Sequence, residues 1–392
     1  AGFTVTQSGG STSVAESGST DTFTVVLDAQ PDSDVVISVS SGDTSEATVS
    51  PATLTFTSGN WNSNQTVTVT SVDDSLVDGT QTSTITLSVV DGSSDNDFDG
   101  VNDQTVTATT TDNDTAGFTV TQSGGSTSVD ESATTDTFTV VLDAQPDSDV
   151  VISVSSGDTD EATVSPATLT FTSGNWNSAQ TVTVTGVDDS LVDGSQTTVA
   201  TISIVDGSSD NDFDGVNDQT VSITTTNDDT AGFTIAISGG STSVAESGST
   251  DTFTVVLDAQ PTSNVVISVS SGDTDEATVS PATLTFTSGN WNSAQTVTVT
   301  GVDDSLVDGS QTTVATISIV DGSSDNDFDG INDQTTNIET TDNDSVGFTL
   351  VESSGSTTVN ESETNDTFTV VLNVQPSSDV VFSITSGDTG EA

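Results

Sequence analysis

Apolar residues alternate with threonine and serine through most of the chain. In the first hundred or so residues the alternation runs through Phe3 and Val5, then Phe23, Val25 and Leu27, then Val35, Ile37 and Val39. It resumes at Leu54 and Phe56, Val67 and Val69, Ile85, Leu87 and Val89, and ends at Val106 and Ala108. A period of two marks strands with one buried and one wet face, and threonine suits the wet face because its β-branch favours extended backbone. No segment shows a helical period.

Turn residues punctuate these runs: Ser8-Gly9-Gly10, Gln30-Pro31-Asp32, Ser41-Gly42-Asp43, Ser58-Gly59-Asn60 and Asp91-Gly92. Seven or eight short strands at this spacing predict an all-β fold, an antiparallel sandwich of immunoglobulin-like type. Trp61 follows one turn and precedes the strand at Val67, a place suited to filling the core near one end. Stacking on a sugar is the other reading of that tryptophan, and one aromatic alone makes a weak platform.

The pattern then repeats. Trp61, Trp176 and Trp291 recur at an offset of 115 residues within nearly identical surroundings, SGNWNSNQTVTVT once and SGNWNSAQTVTVT twice. This offset predicts domains at 1–115, 116–230 and 231–345, arranged as a linear array, with 346–392 supplying the first half of a fourth. Each full repeat is long enough for its own core. The partial one lacks half a sandwich and is not expected to fold alone. Between repeats lies an acidic seam, TTTDNDTAGFTV (Thr109 to Val120), which returns at Thr224 to Ile235 and at Thr340 to Leu350 and leaves no room for a flexible linker.

Charge changes the picture. The chain carries 60 aspartates and glutamates and no lysine, arginine or histidine. No basic side chain is present to pair with a carboxylate, so compensating cations must come from outside. Nucleic acid and anionic membranes are poor partners, because both are bound through basic groups. The absence of cysteine excludes disulfides, and the absence of lysine excludes lysine–asparagine isopeptide staples. No apolar run is long enough to span a bilayer, so direct membrane insertion of this segment is not expected. With no methionine and no basic, apolar leader, the sequence reads as an interior piece of a longer secreted or cell-surface protein.

The carboxylates gather in loops and strand ends. Two bare carboxylates about 4 Å apart repel by roughly 4 kcal/mol at an effective dielectric of about 20. A cluster of five or more therefore opposes folding unless a divalent cation sits among them. Calcium accepts carboxylate and carbonyl oxygens with loose geometry, whereas magnesium keeps its water. A solvated acidic surface is the alternative for scattered residues such as Asp28 and Asp32. The run Val72-Asp73-Asp74-Ser75-Leu76-Val77-Asp78, taken with the seam, points to calcium.

In order along the repeat come an early glutamate (Ser-Val-Ala-Glu16-Ser), a Gly42-Asp43 loop, a Leu-Thr-Phe strand, Val-Thr-Val followed by Asp73-Asp74, and a closing Asp112-Asn113-Asp114. This order resembles the Calx-β domain of sodium–calcium exchangers and integrin β4, tandem copies of which occur in large bacterial surface proteins. The resemblance covers nearly the whole repeat and implies an immunoglobulin-like sandwich with calcium in the loops at one end. It makes Glu16, Asp43, Asp73, Asp74, Asp78, Asp112 and Asp114 candidate ligands. Their counterparts are Glu131, Asp158, Asp188, Asp189, Asp193, Asp228 and Asp229 in the second repeat, and Glu246, Asp273, Asp303, Asp304, Asp308, Asp342 and Asp344 in the third. The family often has further glutamates after its aspartate pair, where this chain has Asp78-Gly79-Thr80-Gln81.

A second acidic motif stands outside that family. Asp95, Asp97, Asp99 and Asp103 occupy positions 1, 3, 5 and 9 of a loop, with Gly100 at 6 and the Val101 carbonyl at 7, the spacing of an EF-hand. It also resembles the aspartate-rich repeats of thrombospondin type 3. Position 12 holds Val106 rather than glutamate, which predicts a modest affinity, about 0.1 to 1 mM. The motif returns as Asp210, Asp212, Asp214, Val216 and Asp218, and as Asp325, Asp327, Asp329, Ile331 and Asp333. The alternative is a plain acidic hairpin tip.

Catalysis is disfavoured, since carboxylates and hydroxyls are the only reactive groups and they lie in regular loop repeats without sugar-binding aromatics. Several calcium ions per repeat are expected, making the chain a calcium-rigidified stalk or filament segment of a large surface adhesin or extracellular fibre. Each repeat would add about 35 to 45 Å at roughly 3.3 Å per residue. Two readings stand beside it: an adhesive module that binds glycan, ice or another cell, and a subunit that assembles with other copies of the chain through shared calcium or open sheet edges.

Overall fold

The computed structural model describes residues 1–391 and is all-β; among them the only helical elements are three-residue 3-10 turns. The first sandwich has nine strands: β1 (Phe3–Gln7), β2 (Thr12–Ala15), β3 (Thr20–Leu27), β4 (Val35–Ser41), β5 (Ala47–Ser50), β6 (Thr53–Phe56), β7 (Gln65–Ser71), β8 (Gln81–Val89) and β9 (Gln104–Thr111). One sheet has the order β1-β3-β7-β5 and the other β2-β9-β8-β4-β6. The extra strand beyond the expected seven or eight comes from a break at Ser8–Gly10, where Gly9 adopts φ 67°. That turn moves the chain from one sheet to the other. All pairs are antiparallel except β2 with β9, which run parallel (Val14 beside Thr110, Ala15 beside Thr111).

Alternation along each strand fills the space between the sheets. Phe23, Val25, Ile37, Phe56, Val67, Val69, Ile85 and Leu87 are fully buried, while the threonines between them face water. Trp61 is half-buried and packs on the edge of this core, its carbonyl accepting the Leu27 N–H at 3.1 Å. Phe98 also joins the core, although it sits in the middle of the Asp95–Asp103 loop.

The same nine-strand order and register recur from Phe118 to Thr226 and from Phe233 to Thr341. Beyond these, Phe348–Glu352 pairs only with Phe368–Leu372, and its apolar residues stay largely exposed, Phe348 by 54 %.

The chain divides into two compact units: Ala1–Asp188 with Thr197–Thr226, and Asp189–Gln196 with the residues from Asn227 onward. Within the first unit, Leu76 forms a parallel bridge to Gln145 of the next repeat. The Val77 N–H donates to the Gln145 carbonyl at 3.1 Å, and the Gln145 N–H to Ser75 at 2.7 Å. Val77 packs against the core of the second sandwich. Within the second unit, Leu191 bridges Gln260 and Leu306 bridges Gln375 in the same way.

If Phe98 anchors its loop to the core, Phe98→Ala costs about 3 to 5 kcal/mol. Hydrogen exchange of the β8 and β9 amides in the full chain then accelerates; unchanged protection would show the loop to be a loose appendage.

Candidate metal centre

Four segments of the first sandwich meet at one end, and strand register brings them there. Parallel pairing of β2 with β9 places Glu16 beside Asp112. Pairing of Ala47 with Ser71 sets Glu46 beside Val72, whose N–H donates to the Glu46 carbonyl at 2.9 Å. Pairing of Gln81 with Thr110 carries the loop from Asp73 to Gly79 over the seam. Gly79, at φ 70°, turns its N–H onto Asp112 Oδ2 at 2.9 Å. The Asn113 amide donates to Asp73 at 2.9 Å, and the Asp114 N–H to Asp112 Oδ1 at 2.6 Å.

The acids at the centre are short of partners. Glu16 is 1 % exposed, and carboxylate oxygens of Glu16, Asp112 and Asp114 lie within 4.8 Å of one another. Burial pushes the Glu16 carboxyl up to about 7, with Asp112, Asp74 and Glu46 adding to the rise against a hydrogen bond from Asn113. Glu46 is 7 % exposed, and its Oε2 has no hydrogen-bond partner. Burial, then the charges of Asp78 and Asp74, raise its pKa. Buried oxygens of Asp78 and Asp114 are likewise unpartnered, and burial followed by neighbouring carboxylates raises both. Unpaired buried anions of this kind are costly, and a bound cation removes the cost.

The third sandwich shows two such groups. Glu246, Asp304 and Asp344 form one trio within 4.8 Å, and Glu276, Asp304 and Asp308 form another. Asp304 belongs to both. Asp342 accepts the Gly309 N–H at 2.9 Å, and the Asn343 amide donates to exposed Asp303 at 2.9 Å, as in the first repeat. In the second repeat Glu131 is 1 % exposed, its N–H donating to Thr226 at 3.2 Å, and Asp188 is exposed. Asp189 accepts the Leu191 N–H at 2.6 Å, and burial followed by the Asp189 charge raises Asp193. The seam there starts with Asn227, whose side chain accepts the Asp229 N–H at 2.7 Å, leaving Asp228 exposed.

Asp43 is placed differently from the expectation. Its Oδ1 accepts the Ser45 N–H and hydroxyl, so it closes its own turn and stays exposed. Asp158 and Asp273 do the same with Asp160 and Asp275. Glu46 and Glu276, three residues on, point into the cluster instead. A glutamate at the same offset in every Gly-Asp loop, GDTSE then GDTDE, was the available signal.

The Asp95 loop does not gather its carboxylates. Asp95 is 6 % exposed and turned inward, accepting the N–H groups of Asp32 (2.6 Å), Ser33 (2.8 Å) and Asp97 (3.0 Å), which hold its pKa down. Asp97, Asp99 and Asp103 are exposed, and Val101 packs on the core. Asp210 and Asp325 sit as Asp95 does, capping Asp212 and Asp327. Asp214, Asp218, Asp329 and Asp333 are exposed, and Val216 and Ile331 pack on their cores. In the first unit this loop faces the preceding seam instead. Asp212, Asp214 and Val216 line a cleft of about 560 Å³ with Asp112 and Asp114, and burial, Asp210, Asp147 and Asp112 raise the Asp212 pKa.

Fold and site together define a tandem array of immunoglobulin-like sandwiches with acidic loop ends. No family model matches the sequence, and no curated protein matches it. Among solved structures, the chain is similar to calcium binding domain CBD12 of CALX1.1 at 14 % identity, covering 51 % of this chain and 80 % of that one, with a TM-score of 0.23. Domains 4 and 5 of the S-layer protein SbsC align at 20 % identity over 48 % and 76 %, TM-score 0.23. The I67–I69 I-band fragment of titin aligns at 9 % identity over 85 % and 95 %, TM-score 0.27. Similarity at this level carries no argument about function.

The raised Glu16 pKa sets the pH response of metal-free protein. Its folded value of about 7 lies above the unfolded 4.5, so the native state binds the proton more tightly. Stability is therefore highest below pH 4.5 as far as this group is concerned and falls as pH rises towards 7, by roughly 3 kcal/mol. Urea unfolding in chelator should show that decline, Glu16→Gln should flatten it, and saturating calcium should cancel it.

Proposed function

We propose that this chain is a structural repeat region of an extracellular or cell-surface protein, a calcium-loaded spacer in a stalk or fibre. Its working units are residues 1–115, 116–230 and 231–345, followed by the partial 346–392. The observation that carries this reading is that one loop does two jobs. Asp74 and Asp78 face the buried, unpartnered Glu46, while Ser75, Leu76 and Val77 between them grip the following repeat. An ion held by Glu16, Glu46, Asp74, Asp78, Asp112 and Asp114 would fix that loop and with it the angle between repeats. Calcium suits the site because these are all hard oxygen donors, and its shell of roughly six to eight ligands tolerates irregular spacing. Magnesium would have to shed water that it gives up reluctantly.

Near-identical units suit a spacer, since length can change by whole repeats without altering the fold. Small-angle scattering is the direct test: the full chain in calcium should give one extended form, and chelator should broaden the distribution of sizes. Identical profiles with and without calcium would overturn the proposal.

Ligand assignment is tested separately by calorimetry on the full chain. Asp304→Asn should remove two ions from the stoichiometry, Glu276→Gln should weaken one site by roughly tenfold or more, and Asp273→Asn should leave binding unchanged. Loss of binding with Asp273→Asn would restore that aspartate as a ligand.

A further inference from the structure

The seam of the second repeat departs from the other two at the residue that ties it to the acid-rich loop. In the first repeat Asp112 uses its two carboxylate oxygens separately: Oδ1 accepts the Asp114 N–H at 2.6 Å, and Oδ2 accepts the Gly79 N–H at 2.9 Å. Asp342 does the same with Asp344 and Gly309, again at 2.6 and 2.9 Å. Asn113 and Asn343 add a second tie, their side-chain amides donating to Asp73 and Asp303 at 2.9 Å. Each loop is thus held to its own seam at both ends.

The second repeat keeps the loop and changes the seam. Residues 187–215 are identical to 302–330 of the third repeat, yet the seam reads Asn227-Asp228-Asp229 in place of Asp-Asn-Asp. Asn227 Oδ1 still accepts the Asp229 N–H, at 2.7 Å. That bond takes the one oxygen an asparagine side chain has, so the atom matching Asp112 Oδ2 is an NH2 nitrogen. A donor there can neither accept the Gly194 N–H nor ligate a cation, and among the described residues no hydrogen bond joins Gly194 to Asn227. Asp228, standing where the other repeats have the amide, has no side-chain N–H to donate. Asp189–Gln196 and the seam from Asn227 belong to one compact unit, and the grip on the third repeat is intact there: the Val192 N–H donates to Gln260 at 3.0 Å and the Gln260 N–H to Ser190 at 2.6 Å. An added acid does not make up the loss. Asp130 stands where the others have Ala15 and Ala245, but its Oδ1 accepts the Ser132 N–H and hydroxyl, and its Oδ2 the Thr226 hydroxyl.

We propose that the seam of the second repeat is the weak calcium site of the array, filled last and emptied first, so that the loop from Asp189 to Gly194 is released while its counterparts stay fixed. The inference rests on the calcium reading above. Affinity for calcium follows the number of charged ligands and the rigidity of the site, and Asn227 lowers both. Falling calcium therefore frees one loop before the others.

The test uses the full chain with leucine methyls labelled, the three loop leucines being assigned through L76M, L191M and L306M, and titrates calcium into chelated protein. Leu76 and Leu306 should complete their shifts first, and Leu191 only at a calcium concentration roughly tenfold higher or more. The double variant N227D/D228N, which writes the seam of the first repeat into the second, should bring Leu191 into step, and Asp112→Asn should delay Leu76. A wild-type Leu191 that shifts together with Leu76 and Leu306, or a Leu191 midpoint unchanged in N227D/D228N, would overturn the proposal. If no leucine responds to calcium, the calcium reading itself falls and this inference with it.

Discussion

Mutual repulsion of carboxylates, with no basic side chain to relieve it, governs this molecule. Sixty acids are tolerable where water surrounds them, as on the threonine-rich faces and turn tips. They are not tolerable where strand register presses Glu16, Glu46, Asp78 and Asp114 together out of reach of solvent. Raised pKa values at these positions are the signature of that conflict. Protonation resolves it at low pH; at neutral pH a divalent ion would do so and retain the charge that binds it.

The same constraint explains why the acid-rich loop can act beyond its own sandwich. Asp74 and Asp78 bracket Ser75, Leu76 and Val77, and this segment adds a short parallel bridge and an apolar contact to the following repeat. Without a fixed anchor such a bridge is too short to hold an interface, since two backbone hydrogen bonds contribute only about 1 kcal/mol each. An ion held by the two flanking aspartates would anchor it at both ends. Candidate ligands and the contact to the next repeat thus lie within five consecutive residues, Asp74 to Asp78.

Repetition also shows where the scaffold is free to vary. The acidic ends and the alternation of buried and exposed positions return in each repeat, because each position there answers to burial or to charge. Changes between repeats reach the cores as well as the surface: Ile85 and Ala108 of the first stand as Ala200 and Ile223 in the second, and the core valine Val106 or Val221 stands as Thr336 in the third.

The period-two pattern and the 115-residue offset made the all-β repeat architecture legible in the sequence, because side-chain alternation is a local property of extended backbone. Glu16, the Asp74–Asp78 run and the seam were legible as well, since acids in a chain without bases have few explanations. Other features belonged to tertiary structure alone. Whether Asp43 or Glu46 enters the cluster depends on which of them caps the turn, and in each repeat the backbone N–H two residues on, of Ser45, Asp160 or Asp275, bonds to the aspartate. The Asp95 loop has EF-hand spacing, yet Phe98 drops into the core and Asp95 is consumed by backbone N–H groups of Asp32 and Ser33, more than sixty residues earlier. Spacing along a chain fixes which residues are near in sequence; only packing against distant strands fixes which way they turn.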